Sequence, residues 1–158
     1  MILFDFGGKI KGDSTYKDHK DWVQVGSAQL GVGRAISSSS GGSDRETSTP
    51  SFSEITMTKN ADVASVDLFV ESAGGKDPKK AQVHFCNVSG NSVDVYMSWE
   101  LENALVSSWS VSSGGERPSE SFSVNFTKIK VAYTRFEQGG KQTKISPKGW
   151  DLETDAQL

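Results

Sequence analysis

The stretch SFSVNFTKIKVAYTRF, Ser121–Phe136, decides the fold. Phe122, Val124 and Phe126 occupy one parity, and Ile129, Val131 and Tyr133 occupy the other. Side chains alternate between the two faces of a strand, so each triplet reads as one apolar β face. The one-residue change of phase between them reads as a β-bulge inside one continuous strand. Bulges bend strands where a sheet curls, and a curled sheet points to a barrel.

The same period of two extends in both directions. KAQVHFCNV (Lys80–Val88), with Val83 and Phe85 in phase, faces SVDVYMSWEL (Ser92–Leu101) across Ser89, Gly90 and Asn91. Gly and Asn tolerate positive φ, which makes this a hairpin signal. Ile2, Phe4 and Phe6 begin the chain in alternation, Val23 and Val25 follow Trp22, and SFSEITMTK (Ser51–Lys59) reads as a further strand.

One segment departs from this pattern. In ADVASVDLFVESAGG, Val63, Val66, Phe69 or Val70, and Ala73 recur at helical spacing. Asp62 or Ser65 can cap the start and Gly74–Gly75 the end, which predicts a helix over 62–73. About three turns are marginal in isolation, so the apolar stripe is expected to lie against the barrel. The fold class is therefore mainly β: an antiparallel β-barrel or sandwich with one short flanking α-helix and an extended loop. It forms a single domain over residues 1–158 that closes in a tail at 153–158.

The loop is ISSSSGGSDRETSTPSF. Fourteen positions, 37–50, lie between Ile36 and the strand that begins at Ser51, and eight of them are Ser or Thr. Nothing in it suits a core. Connections this long inside compact domains generally serve as functional arms or stay disordered.

Composition excludes several classes. A net charge of −3 with scattered Lys and Arg leaves no basic stripe for nucleic acid. No run is apolar and long enough for membrane insertion, and MILFDFGGKI lacks the cationic start of a signal peptide. The single cysteine, Cys86, sits in an apolar alternation and reads as a small core residue in a reducing compartment.

Chemistry is sparse. His19, in KDHKD, and His84, between Val83 and Phe85, are the only imidazoles. Catalysis would need a nucleophile and a carboxylate converging on one of them, and no G-x-S-x-G elbow is present. Both read as surface histidines. Asp18, His19 and Asp21 are close in sequence but fit a charged loop better than a metal site. LGVGR (Leu30–Arg34) has a G-x-G without a following helix or P-loop lysine. No catalytic residue, cofactor or metal is expected, and the reading that remains is a structural or interaction protein.

Four passages carry a resemblance to a known family. They are LENALVSSWSVSSGGERPSESFSVNFTKI (Leu101–Ile129), SFSEITMTKNADVASVDLF (Ser51–Phe69), KGWDL (Lys148–Leu152) and GDSTYKDHKDWVQVGS (Gly12–Ser27). In order and spacing the chain resembles the hemolysin-coregulated protein (Hcp) family, the tube subunit of the bacterial type VI secretion system. The resemblance implies homo-hexameric rings that stack into a tube, meet the spike protein and the contractile sheath, and are driven into a neighbouring cell. It further implies effectors carried and protected in the ring lumen. Export would proceed from the bacterial cytoplasm without a signal peptide, in the service of virulence or interbacterial competition. With only six residues after Leu152, the C-terminal toxin domain of some members is not expected.

By the same resemblance the loop reaches toward the next ring, with Ser40, Gly41, Asp44, Arg45 and Glu46 as stacking candidates. Ser89, Gly90 and Asn91 would lie on one ring face and the C-terminal tail near the other. Ring closure needs one patch against a different patch of the next subunit, and Trp99, Trp109 and Trp150 are the interface candidates. Where the family often has an aromatic-Ser-Trp-Gly run, this chain has Ala28-Gln29-Leu30-Gly31. Gln29 is the candidate for contact with cargo in the lumen. The alternatives are a small β-barrel hydrolase using His19 or His84, and a monomeric binding module.

Overall fold

A computed structural model describes residues 1–38 and 45–158. In chain order the strands are β1 (Ile2–Asp5), β2 (Val23–Val25), β3 (Ser27–Gln29), β4 (Val32–Gly33), β5 (Ser51–Phe52) and β6 (Ile55–Asn60). After the helix α1 (Ser65–Gly74) come β7 (Lys79–Ser89), β8 (Ser92–Ser112), β9 (Ser119–Asn125), β10 (Lys128–Phe136), β11 (Gln142–Asp151) and β12 (Ala156–Gln157). A single 3-10 turn, Lys17–His19, precedes β2.

Ser121–Phe136 forms two strands instead of one bulged strand. β9 pairs with β6 and with the C-terminal half of β8, whereas β10 pairs with the N-terminal half of β8 and with β11. At the break, the Thr127 N–H donates to the Glu102 carbonyl at 3.1 Å and the Leu152 N–H donates to the Thr127 carbonyl at 2.8 Å. The change of phase is a crossover between sheets. The first triplet and Ile129 are buried in the core, Val131 is half-buried, and Tyr133 is 46% exposed. Bulges do occur, on β11 opposite Val131–Tyr133 and on β8 where it meets β7 and β9.

All named pairings are antiparallel. One run of strands is ordered β12-β11-β10-β8-β7-β1-β2, and a second is ordered β8-β9-β6-β3. β8 belongs to both because its 21 residues outlast either partner: residues up to Ala104 pair with β7, and Leu105–Ser112 pair with β9. β2 and β3 also fall on different runs, separated at Gly26, whose N–H donates to the Thr58 carbonyl at 2.7 Å. The sheet is not closed into a barrel. Of the two architectures expected, the sandwich-like one describes the packing.

Phe4, Phe6, Val23, Ile55, Met57, Val83, Phe122 and Val124 meet in the core at 0% exposure. Phe4 of β1 and Phe122 of β9 touch across the two runs, with ring centroids 5.5 Å apart. In KGWDL, glycine is required where β11 crosses β10. A Cβ on Gly149 would lie 2.5 Å from the Ile129 carbonyl oxygen, inside any real contact.

The helix overturns an expectation. Its buried face is Ala64, Leu68 and Glu71, not the stripe read from the sequence. Val63, Val66, Phe69 and Val70 point outward at 58%, 70%, 53% and 55% exposure. Two stripes lie about 180° apart on this helix, and the less apolar one faces inward. It does so because Glu71 is held against the body by Lys9, at 2.6 Å, and because Leu68 fills the space above the core. The helix starts later than the 62–73 expected: its N-cap is Ala64, which makes no side-chain cap bond, and Asp62 and Ser65 instead bond within the turn that leads in. Asp62 accepts from the Ala64 N–H and Ser65 from the Asp62 N–H, both at 2.9 Å, and the Gly75 N–H closes on the Glu71 carbonyl.

The arm at 37–50 is not structureless at its base. β4 pairs with β5, Ile36 bridges Thr47, and the Ser37 and Ser48 N–H groups donate to Glu46 and Ala35 carbonyls, each at 2.9 Å. The stem is an antiparallel ribbon made of exposed residues.

Candidate functional site

The first test is whether the residues suited to chemistry converge. The two histidines do: His19 Nε2 and His84 Nδ1 share a hydrogen bond of 2.8 Å. Trp22 lies against both rings, 4.6 Å from each. His19 is only 4% exposed and His84 half-buried, so neither is the surface histidine expected from sequence. The KDHKD turn folds back over the face of β1 and β7 on which His84 stands, beside fully buried Leu3.

Each imidazole is partnered by the other, with no serine hydroxyl or carboxylate hydrogen-bonded to either ring among the described residues. Also among the described residues, no three His, Cys, Asp or Glu side chains group as metal ligands. Asp18, His19 and Asp21 are thus not assembled into a site. The pair serves as a clasp that seats the turn on the sheet.

The clasp has a pH signature. Burial, and then the neighbouring His19, lower the pKa of His84 from 6.5 to about 4. Burial also lowers that of His19, against the opposing charge of Asp18. The fold favours the neutral rings, while the unfolded chain takes up protons near its ordinary value of 6.5. Below that value the unfolded state binds more protons, so the clasp's contribution is complete above about 6.5 and is lost as the pH falls toward 4. The thermal midpoint of the wild type should therefore drop more steeply across that window than that of His84→Asn. Parallel curves would mean the rings already titrate freely.

Cys86 is 1% exposed and burial pushes its thiol up, which makes it a poor nucleophile.

What remains is surface. Arg45 and Glu46 lie exposed on the arm's stem, Arg45 bonded through Nε to the Ser37 carbonyl at 3.3 Å and Glu46 through its N–H to Ser37 Oγ at 2.8 Å. Ser40, Gly41 and Asp44 lie outside the described residues. Ser89, Gly90 and Asn91 form the exposed tip of the β7–β8 hairpin; Ser89 pairs with Ser92, and Gly90 takes a φ of 60°. Gln29 is exposed on β3 opposite Thr56.

The tryptophans divide. Trp99 is 8% exposed and packs on Phe85 at 4.8 Å, so it is core. Trp109 is half-buried beneath α1 with its ring 5.6 Å from that of Phe69. Trp150 is half-buried at a groove lined also by Phe52, Ile129, Val131 and Lys148. Its indole N–H donates to Asp155 at 3.3 Å. The outward face of α1 is the functional candidate that sequence reading missed. Apolar spacing identified the stripe, but spacing carries no information on which of two opposed stripes meets the body.

This arrangement offers surfaces for association, and among the described residues no nucleophile and carboxylate converge on either histidine. The family model for the type VI secretion system effector Hcp matches residues 4–133. A solved structure described as a type six secretion system protein superposes with a TM-score of 0.90 at 27% identity, over 99% of this chain and 98% of its own. Hcp1 from Salmonella typhimurium gives a TM-score of 0.76 at 19% identity, over 99% and 97% of the two chains. A type VI secretion system effector from Yersinia pestis gives 0.71 at 19%, over 96% and 99%. Those last two likenesses bear on the fold alone. Comparison with curated proteins gave no match.

Proposed function

The chain belongs to the Hcp family of the type VI secretion system, whose proteins oligomerise into rings and build its tube, and from that premise we propose that six copies close into a ring that stacks and carries effectors in its lumen. The observation that supports this reading is the exposed ribbon rising from β4 and β5, whose outward Val32 and Ile36 and flanking polar residues give a protomer a means of reaching a neighbour. The protein acts as a carrier and tube component, not as an enzyme. It leaves the bacterial cytoplasm through the secretion apparatus without a signal peptide, and its partners are the spike protein, the contractile sheath and the effectors.

Within the ring, Ser40, Gly41, Asp44, Arg45 and Glu46 would contact the next ring, Ser89, Gly90 and Asn91 would lie on a ring face, and Gln29 would face cargo. Exposed charge pairs of the Arg45–Glu46 kind are worth about 0–1 kcal/mol each, so stacking should be salt-sensitive and depend on repetition around the ring.

Light scattering on a sizing column tests the assembly. The expected mass is six times the 17.1 kDa protomer, with larger species appearing as concentration rises. A monomer at all concentrations would leave the binding-module reading. Replacing Ser40–Thr47 with a short Gly-Ser link should retain the single ring and reduce the larger species at least severalfold. Loss of the ring itself would place the arm at the intra-ring contact instead.

A further inference from the structure

The outward face of α1 is apolar and, among the described residues, is covered only where Phe69 meets the edge of Trp109. Val66, at 70% exposure, is flanked by Val63, Phe69 and Val70, and Asp67 stands exposed at the rim without a salt bridge among the described residues. A helix is stable on a globular surface when its apolar stripe is covered. Here the covered stripe is the opposite one, so Val63, Val66 and Val70 stay more than half exposed among the described residues.

A matching surface is present elsewhere. β10 and β11 extend the first run of strands beyond β8, and because the sheet does not close, no helix lies across them; α1 packs on β8. The face of β10 that buries Ile129 continues outward as a groove of about 390 Å³ lined by Phe52, Ile129, Val131, Lys148 and Trp150. Tyr133, at 46% exposure, and Ile145, at 52%, form a Cα pair further along the same two strands.

The charges are complementary. Residues 62–74 carry Asp62, Asp67 and Glu71 and no Lys or Arg. Residues 128–151 carry six Lys or Arg against Glu137 and Asp151. Asp62 and Glu71 are already paired, to Lys59 and Lys9, which leaves Asp67 for Lys148, exposed on the groove wall and likewise unpaired among the described residues.

We infer that the outward face of α1 docks into the β10–β11 groove of a second copy of this chain. Apolar anchors make the contact, and Asp67 meets Lys148 at its rim. The inference rests on the ring reading and names the two surfaces that would close the ring. A contact of two helix faces would set Asp67 against Asp67, and one of two grooves would set Lys148 against Lys148. The helix-to-groove contact joins different patches, as a heterologous interface must, and such interfaces close into rings. One helix face supplies only part of the roughly 800 Å² per partner of a standard interface, so the ring draws on the rims as well and on its own closure.

The test uses two full-length variants. Val66→Asp/Phe69→Asp disables the helix face, and Val131→Asp/Lys148→Glu disables the groove. Each alone should sediment as a monomer, and an equimolar mixture should give a species of two protomers and no larger, since one intact helix face then meets one intact groove. Should either double variant unfold, the exposed charges carry the test. Asp67→Lys and Lys148→Asp should each shift the ring toward monomer at least tenfold in concentration, and the two together in one chain should restore it.

If the wild type forms rings and both disabled variants keep the wild-type mass, the surfaces are wrong and the ring reading stands. The helix face then belongs to another protein of the apparatus. If the mixture stays monomeric, or the charge swap fails to restore assembly, the two surfaces are not partners. A monomeric wild type removes the ring reading and this inference together.

Discussion

Lys59→Met should destabilise the folded protein by about 3–5 kcal/mol, the cost of leaving a buried carboxylate without its partner. Lys59 and Glu120 are register partners on β6 and β9, and their side chains are 0% and 1% exposed. Lys59 Nζ lies 2.6 Å from Glu120 Oε2, 2.7 Å from Asp62 Oδ1 and 3.4 Å from Ser65 Oγ. One cation thus joins the second run of strands to the entrance of α1. Methionine fills the same space and makes none of these bonds, so Glu120 would remain dry and charged. Denaturant unfolding should show a lower midpoint at unchanged slope. The double variant Lys59→Met/Glu120→Leu removes both charges and should recover much of the loss. A single variant within about 1 kcal/mol of the wild type would mean that water reaches Glu120, because an exposed pair costs no more than that.

Phe122→Ala should cost a comparable 3–5 kcal/mol for a different reason. Phe122 is fully buried, touches Phe4 of the other run at 5.5 Å and sits between Met57 and Trp109 in its own. Truncation removes apolar contact and leaves a cavity between two sheets fixed by long ladders on each side, which have little freedom to collapse into it. The contrast is Val66→Ala on the outer face of α1, where a surface change should stay within about 0.5 kcal/mol in the isolated protomer. If Phe122→Ala lost less than about 1.5 kcal/mol, the runs would not be packed on each other there.

These two sites mark what was legible beforehand. The alternation at Phe122–Phe126 and Ile129–Tyr133 correctly placed both triplets in strands, with the first triplet and Ile129 in the core and Tyr133 running out of it. It misjudged the junction, because a bulge and a crossover both shift parity by one residue, and only pairing partners distinguish them. The barrel expectation followed from that misjudgement. For α1, Val63, Val66 and Val70 formed a better stripe than Ala64, Leu68 and Glu71, yet the poorer stripe is buried. The contact that fixes it, Lys9 to Glu71, joins residues 62 positions apart.

His19 and His84 were separate in the sequence for the same reason, lying 65 positions apart. The described residues of the arm lie outside the core, as its polar composition indicated. Composition alone did not reveal the ladder through Ile36 and Thr47, whose partners flank a long insertion. At the β10–β11 groove, Trp150 was singled out in the sequence because an aromatic residue draws attention by type. Lys148 was not, since it gains meaning only from the groove beside it.

The strand β8 has a mechanical consequence. Asn103, at a φ of 55°, and the bulge between Val106 and Ser108 bend it where it passes from one run to the other. Its first half is bonded to β7 and β10 along its two flanks, and its second half to β9. A push or pull along either half loads that half's ladders in shear, so many hydrogen bonds must yield at once. A force across it would open them one after another, like a zip. Each half is therefore stiff along its own axis and compliant across it, and the directions in which the two halves of β8 point in an assembled tube would set how much thrust each subunit transmits before it deforms.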